Sequence, residues 1–484
     1  MIPEHFPAQP ENIWKYFYQI TRVPRPSKHE EKVIQYLIEF AKEHGFTYKQ
    51  DNVQNVIMYI PGKGKNKDAP PVIIQNHIDM VTDALPDRKI DFKNDPIETK
   101  CEGDWLKAVG TTLGADNGLG CAAALAVAVD ASLDHPPLEL LFTTDEETGL
   151  NGALGLDTSH LSAKRMLNLD TEEWGSLYIG CAGGIDYELN KEIELSQVNT
   201  EYSPFKLEIK GFVGGHSGVE IHEQRGNAIK LLADSLALLN SKYEISIAEI
   251  RAGKAHNIIP RDAFANIWMR DDLLDMAISS LNDLKTSWSS FLPKNDQAFE
   301  IQLIPGTHLN ESVLSQKDTQ EMINYLELFP HGVHNYLLPA RELVSTSNNL
   351  AKFLCVRGKV YTQTSLRFFD REEIKKIERV IYSLGETFGM KVEHHSEYPS
   401  WKPVEDNKML ELVKSAYEDR FQSAPNITAI HAGLECGILR DKIGPIDVVS
   451  FGPTITGAHS PDEQVHIPSV QNFWTLLTDV LARL

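Results

Sequence analysis

The chain has 484 residues, which is longer than an ordinary single domain and predicts two domains. Apolar residues make up 42% and charged residues 24%, as is typical of a folded globular protein. The formal net charge of −21 disfavours binding to nucleic-acid phosphates and to anionic membrane surfaces. We therefore expect neither nucleic acid nor a membrane as a partner.

The N-terminal sequence MIPEHFPAQPENIW has neither a basic region nor an apolar stretch, so it predicts no secretory signal. The most apolar helix candidate, 119–131, is too short to span a bilayer. The five cysteines are far apart and form no CxxC pair, which predicts reduced thiols rather than disulfides or a thiolate metal site. Together these features predict a cytoplasmic protein.

Strand and helix signals alternate in the first third of the chain. The sequence SKHE at 27–30 predicts a capping box for a helix over 31–43 that stops near Gly45. The elements expected after it are strands over 55–60, 72–75, 138–143 and 166–169, and a helix over 121–130 behind a glycine-rich turn at 114–120. This alternation predicts an α/β domain with a largely parallel sheet.

The pattern changes after about residue 186, where alternating strands and amphipathic helices predict an inserted α+β domain. The candidates are strands over 205–210, 244–249, 263–269, 299–304 and 366–369, and helices over 227–240 and 372–388. The chain is expected to return to the first domain near 399–403 and to end in a helix over 469–484. The predicted boundaries are 1–186 and 401–484 for the first domain and 187–400 for the inserted one.

Acidic and histidine side chains follow the predicted apolar strands or open the glycine-rich turn. They are His77, Asp79, Asp116, Glu146, Glu147, Asp170 and His459. Because the carboxyl ends of strands form the sites of open α/β sheets, we expect these side chains to converge. Nitrogen and oxygen donors without sulfur suit Zn²⁺, Mn²⁺ or Co²⁺.

Each of these residues alone also has an ordinary structural interpretation. His77 and Asp79 share one face of an extended backbone, so Asp79 could accept a hydrogen bond from the His77 imidazole. Asp116 in LGADNGLG could equally be a helix N-cap. Glu146 and Glu147 are adjacent, so their side chains are expected to diverge, and both could belong to a solvated loop. Asp170 could be a turn residue, and His459 could be a structural histidine.

The joint order of these motifs resembles that of the dinuclear zinc peptidases, which include carnosinases, bacterial di- and tripeptidases and aminoacylases. More narrowly, NHIDMV, GADNG, TTDEETG and HAGLECG resemble the bacterial dipeptidases that cleave aminoacyl-histidine substrates. The resemblance covers nearly the whole chain. It implies an α/β catalytic domain with an α+β lid domain, hydrolysis of dipeptides such as carnosine (β-alanyl-histidine), and a homodimer.

The resemblance also implies two Zn²⁺ per chain, with Co²⁺ or Mn²⁺ as substitutes, bridged by Asp116 and a water. By motif match, His77 and Asp170 would complete the coordination of one ion, and Glu147 and His459 would complete that of the other. This division leaves each ion with three protein ligands and an open position, as catalytic sites require.

The same family match gives Glu146 the role of general base, which takes a proton from the bridging water and passes it to the leaving amine. Asp79 would orient His77, and Asp145 would serve local structure only. In the family the bridging aspartate is commonly followed by a cis peptide, which would here be Asp116–Asn117.

The lid motifs of the family match GGHSG, HNIIP and SLRFFD in the inserted domain. By this match His216 would stabilise the tetrahedral oxyanion and Arg367 would bind the substrate carboxylate. Asn257 and Gly433, the latter in HAGLECG, would help to hold that end. Without the family context, GGHSG could be a simple turn and Arg367 a surface strand residue.

Other activities are compatible with the same motifs. They are a dimetal aminoacylase, a desuccinylase, a tripeptidase, or a metal-binding homologue without catalysis. The segment 303–349 exceeds the simpler lids of the family, and the sequence assigns it no role.

Overall fold

The computed structural model describes residues 2–307, 312–337, 343–404 and 406–484. The chain forms two compact units. The first unit comprises Met1–Cys181, Trp401–Ala429 and Leu434–Leu484, and the second comprises Ala182–Ser400 and Ile430–Gly433. The first unit is thus assembled from both ends of the chain.

Helices and strands occur in both units. Among the described residues, the helices in chain order are α1 (Glu11–Thr21), α2 (Glu31–His44), α3 (Ala115–Val129), α4 (Asn151–Gly155), α5 (Ala228–Tyr243), α6 (Leu274–Ser289), α7 (Gln316–Leu328), α8 (Arg371–Phe388), α9 (Lys408–Phe421), α10 (Glu435–Ile443) and α11 (Ile467–Arg483). The strands are β1 (Thr47–Gln50), β2 (Val56–Ile60), β3 (Val72–His77), β4 (Thr99–Glu102), β5 (Trp105–Ala108), β6 (Leu138–Thr143), β7 (Arg165–Asn168), β8 (Ser176–Cys181), β9 (Gly183–Glu192), β10 (Ser196–Gln197), β11 (Ser203–Lys210), β12 (Ser246–Ala252), β13 (Ala263–Met269), β14 (Glu300–Pro305), β15 (Ser312–Val313), β16 (Gly332–Tyr336), β17 (Val344–Val356), β18 (Lys359–Phe368), β19 (Lys391–Tyr398), β20 (Asn426–Ile430), β21 (Asp447–Ser450), β22 (Ile455–Thr456) and β23 (Gln464–His466).

The main sheet of the first unit has the strand order β1-β2-β6-β3-β7-β21-β8-β20. The pairs β6–β3, β3–β7 and β7–β21 are parallel. The pairs β1–β2, β2–β6 and β21–β8 are antiparallel. The sheet therefore has a parallel centre, as the sequence predicts, with antiparallel strands on both sides of it. A smaller sheet, β22-β23-β5-β4, belongs to the same unit.

Apolar and small side chains explain how the first unit packs. Every residue of β3 and β6 is buried, which accounts for their continuous apolar runs. Helix α3 is buried along most of its length, as expected of a helix that is apolar on all faces. A Cβ at Gly120 would lie 2.7 Å from the carbonyl oxygen of Leu169, so glycine is needed where α3 approaches the end of β7.

The second unit contains a sheet with the path β14-β11-β13-β12-β17-β18-β9-β19, and β16 pairs with β17. Its helices pack through one apolar face. In α8, for example, Ile374, Ile377, Ile381 and Leu384 are buried at spacings of three or four residues. The predicted fold class, an α/β domain with an α+β insertion, is confirmed.

The predicted capping box at SKHE does not form. Ser27 Oγ donates instead to Asp79 Oδ2 at 2.8 Å. The Glu30 carboxylate accepts from the backbone N–H groups of Lys28 and Asp145 at 2.9 and 3.1 Å. Helix α2 has Glu30 at its N-cap position, without a side-chain cap. Ser27 thus donates to a buried carboxylate that is distant in sequence, and a local motif cannot reveal such a contact.

The segment 303–349, to which the sequence assigns no role, includes β15, α7, β16 and the start of β17. Residues 308–311 and 338–342 of this segment lie outside the described residues. Among the described residues, no helix is both long and apolar enough to cross a membrane. All five cysteines are free thiols.

Candidate metal centre

Three neighbouring strands of the first unit present polar side chains at one edge of the sheet. Strand β3 ends at His77, and β6 ends just before the turn that carries Glu146 and Glu147. Strand β7 ends two residues before Asp170. Because β6, β3 and β7 are adjacent and parallel, their carboxyl ends lie together. The buried strands thus determine where these donors meet.

Asp116 lies between two histidines. Its Oδ1 is 3.0 Å from His77 Nε2, and its Oδ2 is 3.2 Å from His459 Nε2. Asp116 is in the first turn of α3, but its φ of −79° and ψ of 117° are not helical, and the peptide to Asn117 is cis. Gly114 occupies the N-cap position, so the alternative of an Asp116 N-cap is wrong. The two oxygens of one carboxylate therefore face different imidazoles.

The donor atoms form two groups that share Asp116. His77, Asp116 and Asp170 each offer one atom, and these atoms lie within 4.8 Å of one another. Asp116, Glu147 and His459 form a second group by the same criterion. Asp170 Oδ1 is 3.5 Å from His77 Nε2, and Glu147 Oε2 is 3.0 Å from His459 Nε2. The two groups are therefore candidate cation sites that would have one carboxylate in common.

The residues present fit a pair of divalent cations. Each group has three protein donors of nitrogen and oxygen type, which suits zinc, cobalt or manganese and leaves coordination positions open. Glu147 Oε1 is buried and, among the described residues, has no hydrogen-bond partner. An unsatisfied buried carboxylate oxygen is costly, and a cation would satisfy it.

The negative charge of the carboxylates raises the pKa values of the two histidines. Hydrogen bonds to Asp116 and Glu147 raise the pKa of His459 to about 11. Burial opposes the protonation of His77, but the carboxylates around it still raise its pKa well above the usual range. Without metal, protons neutralise part of this negative charge. A divalent cation would displace them, since metal binding requires neutral imidazoles.

Asp79 connects His77 to the turn of the two glutamates. Its Oδ1 is 3.3 Å from His77 Nδ1, a close electrostatic contact whose angle is outside hydrogen-bond geometry. The Asp79 carboxylate accepts the N–H groups of Glu146 at 3.0 Å and Glu147 at 3.2 Å. Asp79 is fully buried, so these contacts are shielded from water. One side chain therefore organises both the imidazole and the acidic turn.

Glu146 and Glu147 lie closer together than the sequence predicts. A ligand atom from each, together with one from His77, lies within 4.8 Å of the others, so the expected divergence is wrong. Strand β6 has already ended at Thr143, and the two glutamates lie in a turn rather than on opposite faces of a strand. Burial raises the pKa of Glu146 well above the usual range, and the neighbouring Glu147 carboxylate raises it further.

In the second unit, His216 and Asn257 belong to connected loops. His216 Nδ1 accepts from the N–H groups of Gly218 at 3.3 Å and Val219 at 3.1 Å. A neutral His216 ring therefore carries its proton on Nε2, the atom that can donate. The N–H of Ser217 donates to the carbonyl oxygen of Asn257 at 2.8 Å, which holds the two loops together.

Arg367 and Gly433 both adjoin Tyr398 in the second unit. Arg367 is 6% exposed, and its Nη1 donates to the Tyr398 hydroxyl at 3.2 Å. Its Nε has no hydrogen-bond partner among the described residues. A Cβ at Gly433 would lie 2.9 Å from the Tyr398 ring, and one at Gly218 would lie 3.1 Å from Arg367 Nε. A buried guanidinium with an unused donor suits an anionic ligand.

Comparison with known proteins places the chain in a family. The family model described as Peptidase family M20/M25/M40 matches residues 73–483. The chain belongs to this family. It is 39% identical over 472 residues to the cytosol non-specific dipeptidase of Escherichia coli K12, a match that covers 98% of this chain and 97% of that protein. As a member of the M20 family, the chain is a hydrolase of the metallopeptidase class, and the predicted family resemblance is confirmed.

Solved structures of other peptidases share this fold. The aminoacylhistidine dipeptidase of Vibrio alginolyticus has a TM-score of 0.84 and 36% identity, covering 98% of this chain and 97% of that chain. A tripeptidase of Staphylococcus aureus has a TM-score of 0.55 and 14% identity, covering 99% of both chains. At this identity, the similarity to the tripeptidase shows a shared fold alone.

Several buried residues beside the centre of this M20 member escape sequence reasoning. Glu435 accepts from Gln75 Nε2 at 2.5 Å and from Thr143 Oγ1 at 2.6 Å, which connects α10 to the ends of β3 and β6. Burial raises the pKa of Glu435 to about 7. The other missed residues of the first unit are Arg25 and Glu463. In the second unit the half-buried Tyr398, which accepts from Arg367 Nη1, also escapes sequence reasoning. Glu435 stands in HAGLECG, but a sequence does not distinguish a buried acid from an exposed one.

Proposed function

We propose that this M20 family member is a metal-dependent dipeptidase whose centre holds two divalent cations. The observation that carries the proposal is Asp116, whose carboxylate oxygens face His77 at 3.0 Å and His459 at 3.2 Å. Asp116 is the shared ligand, His77 and Asp170 complete one site, and Glu147 and His459 complete the other. Zinc is the proposed ion, with cobalt or manganese as substitutes.

Glu146 is the proposed general base. Bound cations would polarise the scissile carbonyl and lower the pKa of the attacking water. Glu146 accepts a proton from this water and transfers it to the leaving amine. Its carboxylate offers an atom within 4.8 Å of donor atoms of His77 and Glu147, beside both proposed cation sites, but it belongs to neither of the groups built around Asp116. Asp79 acts through His77, whose imidazole it orients.

The second unit supplies the proposed substrate-binding residues, so the predicted domain 187–400 is assigned the role of a lid. Arg367 pairs with the C-terminal carboxylate of the dipeptide, for which a planar guanidinium is well shaped. Asn257 and the backbone of Gly433 add hydrogen bonds at the same end. His216 donates from Nε2 to the oxyanion of the tetrahedral intermediate. Fixing the terminal carboxylate favours dipeptides, because a longer peptide would extend beyond it.

The proposed preference is for aminoacyl-histidine dipeptides such as carnosine. One similar protein is described as an aminoacylhistidine dipeptidase and another as a non-specific dipeptidase, so substrate breadth is the quantity to measure. The competing assignments are an aminoacylase, a desuccinylase, a tripeptidase and a metal-binding homologue without catalysis.

A substrate panel tests the proposal. The purified protein is loaded with zinc and assayed on β-alanyl-histidine, glycyl-histidine, glycyl-leucine, an N-acetyl amino acid and a tripeptide, each with and without chelator. We expect chelator-sensitive hydrolysis of the dipeptides, fastest for those ending in histidine. Hydrolysis of only the acetylated substrate or only the tripeptide would reassign the activity. Two bound zinc ions without any hydrolysis would favour the non-catalytic alternative.

We also propose that the protein is a cytoplasmic homodimer. The Escherichia coli relative is described as cytosolic, which supports the location. Sedimentation equilibrium of the zinc-loaded protein tests the assembly. A mass of one chain at micromolar concentration would contradict the dimer without affecting the proposed chemistry.

A further inference from the structure

A buried glutamate binds the loop that carries Asp116. Glu463 is 2% exposed. Its Oε2 accepts from the N–H groups of Leu113 at 2.6 Å and Gly114 at 2.9 Å. Its Oε1 accepts from the N–H groups of Ala115 at 2.7 Å and Asp116 at 3.3 Å. Four consecutive peptide groups thus converge on one carboxylate.

A buried arginine binds the same loop through a carbonyl group. Arg25 is 3% exposed, and its Nη1 donates to the carbonyl oxygens of Ile78 at 2.9 Å and Asp79 at 2.7 Å. Its Nη2 donates to the carbonyl oxygen of Gly114. A Cβ at Gly114 would lie 2.5 Å from this Nη2, and the φ of 70° also favours glycine. One guanidinium therefore joins the end of the strand that carries His77 to the glycine-containing loop.

We propose that Glu463 is a positioning residue of the metal centre, which fixes Asp116 so that its two oxygens face two cations. Glu463 lies four residues after His459, and the intervening turn is closed by backbone hydrogen bonds from Ser460 to Gly457 and from Glu463 to Ser460. A single H-x-x-x-E segment thus supplies one proposed ligand and the anchor of the shared ligand. This inference rests on the proposed function, because it assumes the assigned cation sites.

Two physical arguments support an anchoring role. The peptide N–H groups of Leu113, Gly114 and Ala115 are buried, and without an acceptor each would be left unpaired away from water, which is destabilising. Asp116 also lies close to the carboxylates of Asp170 and Glu147, which repel it when no cation is present. A loop attached through four hydrogen bonds keeps the shared carboxylate in place despite this repulsion.

The substitution Glu463→Gln tests the anchor with little change of volume. One of the two acceptor oxygens becomes an NH₂ group, which faces two N–H donors and cannot accept from them. Zinc affinity is measured by competition with a chromophoric chelator, with the folded state checked by circular dichroism. We expect the affinity for zinc to fall by about 10–100-fold, as for other residues that support metal ligands. At saturating zinc, the KM for a dipeptide should be unchanged.

Glu139→Gln is the matched control. Glu139 is also buried in the first unit and accepts the N–H groups of Ser162 at 2.9 Å and Ala163 at 3.2 Å. The loop that it anchors carries none of the proposed ligands. We expect this variant to lower the melting temperature of the metal-free protein while zinc affinity stays at the wild-type value.

The outcomes separate the inference from the proposed function. Zinc affinity of Glu463→Gln equal to that of the wild type overturns the inference and leaves the proposed function in place. If the wild type itself binds no zinc, the proposed function fails. Should Glu463→Gln not fold, Glu463→Asp keeps the charge but is one methylene shorter, and it should still lose zinc affinity by about tenfold. Wild-type affinity in that variant would overturn the inference equally.

Discussion

Glu147 Oε2 lies 3.0 Å from His459 Nε2, which brings a turn from the first third of the chain to a loop close to its C-terminal end. This contact distinguishes two glutamates that are adjacent in sequence. Glu147 belongs to the group built around Asp116 and His459, whereas Glu146 does not. The two carboxylates therefore have different expected roles, and substitution of each should affect different quantities.

Replacing Glu146 with glutamine should abolish most of the activity and leave both metal ions bound. An amide cannot accept the proton from the attacking water, and loss of a general base typically lowers kcat by about 10²–10⁴-fold. Steady-state kinetics and zinc analysis of the same preparation measure both quantities. Asp145→Asn is the control, because the Asp145 carboxylate accepts from Thr148 and Asn151 and is absent from the two groups built around Asp116. Unchanged kcat in Glu146→Gln would exclude Glu146 as the base.

Replacing Asp79 with asparagine should weaken metal binding by about 10–100-fold. The amide removes a negative charge 3.3 Å from His77 Nδ1 and places an NH₂ group near the N–H donors of Glu146 and Glu147. Zinc titration against a competing chelator gives the affinity. Ser27→Ala removes only one donor to Asp79 and should have a much smaller effect. Equal affinities in the wild type and Asp79→Asn would contradict the orienting role.

Replacing Arg367 with lysine, which keeps the charge but loses the planar pair of donors, should weaken the preference for a free C-terminal carboxylate. A charge-assisted hydrogen bond contributes about 1.5–3 kcal/mol, so the wild type should prefer a dipeptide to its C-terminal amide by about 10–100-fold in kcat/KM. In Arg367→Lys the ratio should fall, mainly through a higher KM for the free acid. Arg251→Lys, on an exposed ion pair with Glu249, is the control. A ratio that is unchanged in Arg367→Lys would place the carboxylate elsewhere.

The metal-free protein should lose stability as the pH rises from about 6.5 to 9, above the range in which His331 and His431, whose pKa values burial lowers from 6.5 to about 3, oppose the trend. The pKa of Glu435 is raised from 4.5 to about 7, and that of His459 from 6.5 to about 11. Between each pair of values the folded state keeps a proton that the unfolded state has released, so the free energy of unfolding falls with rising pH. The contribution of Glu435 falls between pH 4.5 and about 7, and that of His459 falls between pH 6.5 and about 11.

Calorimetry in the presence of chelator at pH 6.5, 7 and 9 measures this trend. Saturating zinc should reverse it in the upper part of the range, because the cation competes with protons for the imidazole. Glu435→Gln should weaken the dependence of the melting temperature on pH only at the lower end of the pH range. A melting temperature of the metal-free protein that rises over this range would contradict the assignment of these pKa shifts.

The sequence predicts the strand ends well, because a buried strand of a parallel sheet leaves a continuous apolar run. The run before His77 and the run before Asp170 both have this form, and the structure places both residues at the same edge of the sheet. Strand β17, VSTSNNLAKFLCV, has no such signal. Ser345, Thr346 and Asn348 are buried within it, so neither an apolar run nor simple alternation reveals the strand.

The supporting residues of the centre are not predictable in the same way. Glu463 stands within four residues of a recognised histidine, yet its partners are backbone N–H groups of residues 113–116, which leave no trace in side-chain patterns. Ser27 is misread as part of a capping box for the same reason, since its partner Asp79 is remote in sequence. Local patterns thus predict donors at strand ends but not the long-range contacts that fix them.

The shared-carboxylate centre is tested most directly by anomalous diffraction at the zinc absorption edge from crystals of the zinc-loaded protein. We predict two peaks about 3.5–4 Å apart on either side of the Asp116 carboxylate. One peak should lie beside His77 and Asp170, and the other beside Glu147 and His459. A single peak, or a second peak away from Asp116, would contradict a centre in which one carboxylate binds both ions.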